Sequence, residues 1–177
     1  DTPLARHLTP GHAIESMWFV TEQALRHGRE EVLERAAAVI RASFEAGWDE
    51  EHGGLFRYVE PGGNAPTGQP TGAFEQMILD TWDTKIWWPH SETLYAALLA
   101  ERVSGDPRLR EIHDRTHEYT FATFPHPDGR SEWIQIRDRE GRPSQRTVAL
   151  PVKDPYHVMR NLMLLVELLV EGPEARA

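Results

Sequence analysis

The sequence contains no cysteine, which removes disulfides, thiolate metal sites and cysteine nucleophiles together. No apolar run approaches the roughly 20 residues of a membrane-spanning helix. The opening Asp1-Thr2-Pro3 lacks the features of a signal peptide, and a starting Met is also missing. These absences fit a cytoplasmic protein without membrane contact, whose numbering is expected to begin inside a longer chain. Basic residues are the minority, 19 Lys and Arg against 28 Asp and Glu, and the net charge is -9. Without a basic stripe, a nucleic-acid partner is not expected. There is no glycine-rich phosphate loop and no Gly-x-Ser-x-Gly elbow.

What is present is a globular balance, 40% hydrophobic and 27% charged over 177 residues, enough for one domain spanning 1–177 with a real core. Helical periodicity dominates. It predicts helices from Thr9-Pro10 to about His27, Arg29 to Ala46, Pro89 to Ser104, Pro107 to Thr123, and Asp154-Pro155 to Glu171, with Gly28, Gly47, Gly105 and Gly172 as stops. Residues 48–59 read as a turn followed by a short strand, 60–72 as a glycine- and proline-rich loop, and 132–150 as a β-hairpin turning at Glu140-Gly141. A helix pair followed by a β-turn element recurs at 10–59 and 89–148, with Phe44…Trp48 and Phe121…Trp133 in matching places. Such repeats predict an all-α solenoid or closed toroid. The helices at 10–27, 89–104 and 154–171 would form one layer, and the other two a second.

The three helices of the first layer begin alike, with Thr9-Pro10-Gly11-His12, Trp88-Pro89-His90 and Asp154-Pro155-Tyr156-His157. If they run parallel, three histidines meet at one mouth. The positive end of a helix dipole disfavours a second positive charge, so imidazole there stays neutral and can accept a proton. Glu15, three residues after His12, would orient a ring or steady an imidazolium. Arg160, three after His157, would hold an oxyanion or hydroxyl. Glu92 is off the face of His90 but could line the mouth, and Trp87 and Trp88 offer flat surfaces for a sugar ring. His113 and His117 have metal-pair spacing, yet on an outer helix they read better as a solvated face, and no metal is expected. Paired carboxylates such as Asp49 and Glu50 keep a helical-toroid glycosidase open.

Four stretches carry a more specific resemblance: Pro10-Gly11-His12-Ala13-Ile14-Glu15, Gly47-Trp48-Asp49 with Gly53-Gly54-Leu55-Phe56, Trp87-Trp88-Pro89-His90-Ser91-Glu92, and Tyr156-His157-Val158-Met159-Arg160. In this order they resemble the N-acylglucosamine 2-epimerase family, which includes cellobiose 2-epimerases and mannose isomerases. The resemblance implies an (α/α)6 barrel with short β-hairpins between helix pairs. It also implies a monosaccharide or disaccharide substrate, and proton transfer through a cis-enediolate without a cofactor. It assigns His12 and His157 as the acid/base pair and Glu15 as support for its histidine. Family members are much longer, so the chain is expected to be the carboxy-terminal part of a barrel. It would then be a piece of a longer chain, a split member completed by an amino-terminal half or by self-association, or an inactive remnant. A non-catalytic half-barrel that binds sugar or protein is the alternative from another class.

Overall fold

The computed structural model describes residues 2–146, 148 and 155–171. Its elements are α1 (Pro3–Arg6), α2 (Pro10–Arg26), α3 (Glu30–Gly47), α4 (Ala73–Thr81), β1 (Lys85–Ile86), α5 (Trp87–Ser104), α6 (Pro107–Thr123), β2 (Ile136–Arg137) and α7 (Pro155–Glu171). Proline at the first helical position opens α2 and α6, where its missing N–H costs nothing. Asp106 caps α6 by accepting from Arg108 N at 2.9 Å. Gly105 ends α5 in the left-handed conformation, with φ of 70°.

The two layers form as the repeat implied. Helices α2, α5 and α7 stand side by side with α5 in the middle, and α3 and α6 pack behind them. Position in the layer explains composition. From Pro89 to Ala100 every residue of α5 is buried, because neighbours cover it on all sides. Ile14, Trp18, Ile40, Phe44, Leu94, Leu98, Leu109 and Leu168 meet around it. The repeated aromatic pairs also pack: Phe44 stacks on Trp48 at 4.7 Å and Phe121 meets Trp133 edge-on at 5.8 Å.

Between the helices the outcome differs from expectation. Leu55–Val59 forms no strand, only single bridges, Trp48 with Leu55 and Leu8 with Val59. The hairpin expected at 132–150 turns at Gly141, but β2 pairs antiparallel with β1, the dipeptide leading into α5. Ile136–Arg137 thus anchor the entry of α5 and also hold the returning arm of the expected hairpin, where Arg137 bridges Pro143 and Ser144 N–H donates to the Ile136 carbonyl at 3.0 Å. Residues 147, 149 and 150 of that hairpin, the cap Asp154 and the stop at Gly172-Pro173 lie outside the described residues. Helix α4 was not expected at all. Its Phe74, Met77, Ile78 and Thr81 have helical spacing, but the glycine-rich stretch before it hides the start. Among the described residues, no helix is long and apolar enough to cross a membrane.

Candidate active site

The helix starts of α2, α5 and α7 gather at one end, where the backbone of Gly11 lies directly against the side chains of Pro89 and Trp88. A Cβ on Gly11 would lie 2.7 Å from Pro89 Cβ, and one on Gly47 would lie 2.6 Å from Pro10 Cβ. Both glycines are therefore required by close approach. The result is a cleft of about 290 Å³ lined by His12, Arg57, Tyr58, Trp87, Trp88 and His157, among others.

Two of the three helix-start histidines face this cleft. Both contact the Trp88 ring, whose centroid is 4.5 Å from His12 and 5.3 Å from His157. Burial holds His12 below its ordinary pKa, and the nearby His157 and Arg57 push it the same way. The third histidine is elsewhere. His90 is 0% exposed, its Nε2 accepts from Leu55 N–H at 2.9 Å, and its Nδ1 donates to the Ile86 carbonyl at 2.7 Å. Both ring nitrogens are thereby committed, and burial lowers the pKa to about 3. Its position corrects the expectation that His90 opens at the mouth. At the fourth residue of α5 its side chain turns inward, and it joins the 55–59 segment to the helix.

Behind His157 lies a cluster that the sequence pattern did not reveal. Glu92 is 0% exposed and collects three donors: His157 Nδ1 at 2.5 Å, Trp18 Nε1 at 2.7 Å, and Arg160 Nη2. A buried carboxylate needs such a set of donors, and the same bonds fix the ring of His157. Glu15 stands 3.7 Å from His157 Nδ1 and 3.8 Å from Arg160 Nη2, so it reaches the ring on the neighbouring helix. Arg160 is also covered by aromatic rings, with Tyr156 at 4.2 Å and Trp18 at 5.1 Å. Its Nη2 is committed to carboxylates behind the histidine, while Nη1 is buried without a hydrogen-bond partner among the described residues, and Arg160 is not among the residues that line the cleft. Trp87 is buried against Ile86, Phe124 and Val148, with one side on the cleft, while Trp88 is half-buried.

The donor atoms of Glu15, Glu92 and His157 lie within 4.8 Å of one another, as metal ligands would. The Arg160 guanidinium already bonds to Glu92 and approaches Glu15. A metal ion there would have to displace it, so these donors fit an internal ion pair better than a metal. Of the pair at 113 and 117, His113 turns inward and bonds the Leu94 carbonyl at 2.9 Å, while His117 stays on the solvated face as expected, 4.7 Å from the exposed Phe121.

The Gly47-Trp48-Asp49 and Gly53-Gly54 motif is structural. Asp49 accepts from Lys85 Nζ at 3.0 Å and from Arg139 Nε at 2.9 Å, and those charges hold its carboxyl well below the usual range. Sequence reasoning missed Arg57 and Tyr58 in the cleft. They follow the motif directly, but only the bridge pairing of Val59 with Leu8 brings their segment to the start of α2.

The helical layers are those of the (α/α)6-barrel fold seen in sugar epimerases and isomerases. A D-mannose isomerase superposes with a TM-score of 0.73 at 19% identity, covering 90% of this chain and 37% of that one. Cellobiose 2-epimerase from Bacillus thermoamylovorans gives a TM-score of 0.67 at 20% identity, over 92% of this chain and 38% of its own. At these identities the likeness is one of fold. Sequence carries the family: the model of N-acylglucosamine 2-epimerase matches residues 3–161, and the chain belongs to that family. The N-acylglucosamine 2-epimerases of Mus musculus and Bos taurus are 35% and 36% identical over 170 residues, which is 94% of this chain. The chain spans 37% of the length of each.

Proposed function

We propose that this chain carries the proton-transfer residues of a sugar 2-epimerase or aldose–ketose isomerase, His12 and His157. The observation that supports it is the pair of imidazoles that both contact Trp88 in one cleft. With the sugar in open-chain form, the neutral His12 takes the proton from the carbon next to the carbonyl. The C–H electron pair becomes the C=C bond of a cis-enediolate, and the carbonyl pair moves to oxygen. His157 has Nδ1 on Glu92, so Nε2 is the atom that exchanges the proton. Return to the same carbon from the opposite face epimerises; return to the neighbouring carbon isomerises. Each positioned acid or base is worth roughly 100- to 10,000-fold, and this route calls for no cofactor. Trp88 would stack on the sugar, while Glu92, Glu15 and Arg160 act as positioning residues for His157.

The names of the relatives support a sugar substrate: N-acylglucosamine for the curated ones, mannose and cellobiose for the solved structures. The short span relative to them supports a further part of the reading. The chain is the carboxy-terminal portion of the barrel, and an amino-terminal portion, in a longer chain or a partner, covers the apolar outer face of α7. Along that face Met159, Met163, Val166 and Val170 are 56–78% exposed.

Proton NMR of N-acetylmannosamine, mannose and cellobiose in deuterated water tests the chemistry. Loss of the C2 proton signal with any of them is the expected result. Thermal stabilisation by sugar without exchange would instead favour a binding half-barrel and discard the catalytic reading.

A further inference from the structure

Arg160 does not line the cleft, yet a cation does. Arg57 is 9% exposed and lies on the cleft beside His12 and Tyr58. Neutral acceptors hold its guanidinium: Nη1 donates to Thr81 Oγ1 at 2.7 Å, Nη2 donates to the Val148 carbonyl, and Met77 Sδ lies 3.9 Å away. The group sits 4.7 Å from the Tyr58 ring centroid. Among the described residues no carboxylate pairs with it. Lys85 has Asp49 and Arg160 has Glu92, whereas the buried Arg137 also donates to a neutral acceptor, the Thr123 carbonyl, but does not line the cleft. A desolvated charge without a counter-charge is costly, and three neutral anchors fix its position without quenching it. That arrangement suits a site where the ligand brings the negative charge.

We propose that Arg57 is a catalytic residue whose guanidinium receives the oxygen that turns negative when His12 removes the substrate proton, so that the cleft selects carbonyl compounds passing through an enediolate. This rests on the epimerase or isomerase reading above. No oxidant or co-reactant enters: the proton goes to His12, the electron pair goes to oxygen, and the pair returns to carbon when His157 or His12 delivers a proton, after which the histidines re-equilibrate with water. Burial chiefly lowers the proton affinity of His12, and the same cation adds to that effect while it steadies the developing oxyanion. The other titratable groups near His12 are Glu15 on its own helix, Glu92 on α5, His157 and Arg160 on α7, and Tyr58 beside Arg57.

The test compares Arg57→Gln with Arg57→Lys. Both lose the anchored guanidinium, but only Lys keeps the charge. The probe is D-arabinonohydroxamate, a mimic of the cis-enediolate, with C2 deuterium exchange and the His12 imidazole titration by NMR as further readouts. Arg57→Gln should weaken the probe and slow exchange by about 100-fold, whereas Arg57→Lys should retain most of both. The pKa of His12 should rise in the Gln variant alone. Equal losses in the two variants, or an unmoved His12 titration in Arg57→Gln, overturn the proposal. Thr81→Val keeps the charge and removes an anchor, so it decides the matter if Arg57→Gln does not fold: a several-fold weaker probe is expected, and an unchanged affinity counts against the seating of Arg57. Charge-dependent probe binding without exchange of any sugar would discard the epimerase reading and leave Arg57 as an anion site. Sugar exchange undiminished in Arg57→Gln would do the reverse. A wild-type chain that does not bind the hydroxamate overturns the role of Arg57.

Discussion

At the scale of residues, three histidines with the same address in their helices have different fates. His12 and His157 face the cleft, while His90 is locked by two hydrogen bonds in the core. His12→Ala and His157→Ala should each abolish C2 proton exchange, whereas Glu92→Gln should reduce it by roughly 10- to 100-fold, since the ring of His157 loses its charged anchor but not its chemistry. Because His12 is held below its ordinary value of 6.5, it stays neutral at pH 6.5 and is lost as a base only further down. Exchange should therefore persist below pH 6.5 and then fall, which a pH–rate profile checks. His90 affects stability instead. Its folded pKa of about 3 is below the unfolded 6.5, so between these values only the unfolded chain takes the proton. The contribution is complete above pH 6.5 and is lost by about 1.4 kcal/mol per unit as pH falls toward 3. Urea unfolding from pH 7 to 5 should show this slope, and His90→Asn should flatten it.

At the scale of elements, the site depends on how closely two helices meet. The contact between Gly11 and Pro89 leaves no room for a methyl group. Gly11→Ala should push the start of α2 off α5, costing about 1–3 kcal/mol of stability. It should also move His12 off Trp88, so exchange falls more steeply than stability alone explains. Thermal melts alongside exchange rates separate the two effects. The β1–β2 pairing has a related function, because it fixes Lys85 and Ile86 directly ahead of Trp87 and Trp88. Helix α4 matters to the cleft through Thr81, an anchor of Arg57.

For the molecule as a whole, α7 is the asymmetric feature. One face packs on α5 through Asn161, Leu165 and Leu168, while the other exposes apolar side chains for most of its length. A lone surface helix of this kind is unusual in a finished fold. If the amino-terminal portion of the barrel covers it, Val166→Glu should leave the melting temperature of this chain within a few degrees. The same change should prevent association with a separately supplied amino-terminal portion, measured by sedimentation. Association unaffected by the charge would place such a portion elsewhere.

The sequence alone determined the long helices, their two layers and the shared start of α2, α5 and α7. Periodicity, proline at helix starts and glycine at helix ends are local signals, readable within a few turns. It also led to the family, and to His12 and His157 as candidates, because the motifs are contiguous. Only the tertiary structure decided which polar groups meet. Glu92 and His157 are 65 residues apart, and Arg57 and Val148 are 91 apart. Their contacts depend on helix rotation and on the path of the 55–59 segment, which no local pattern encodes. His90 shows the physical reason clearly: a shift of one or two positions along a helix turns a side chain by roughly 100° to 200°. That rotation separates a side chain in the cleft from one in the core.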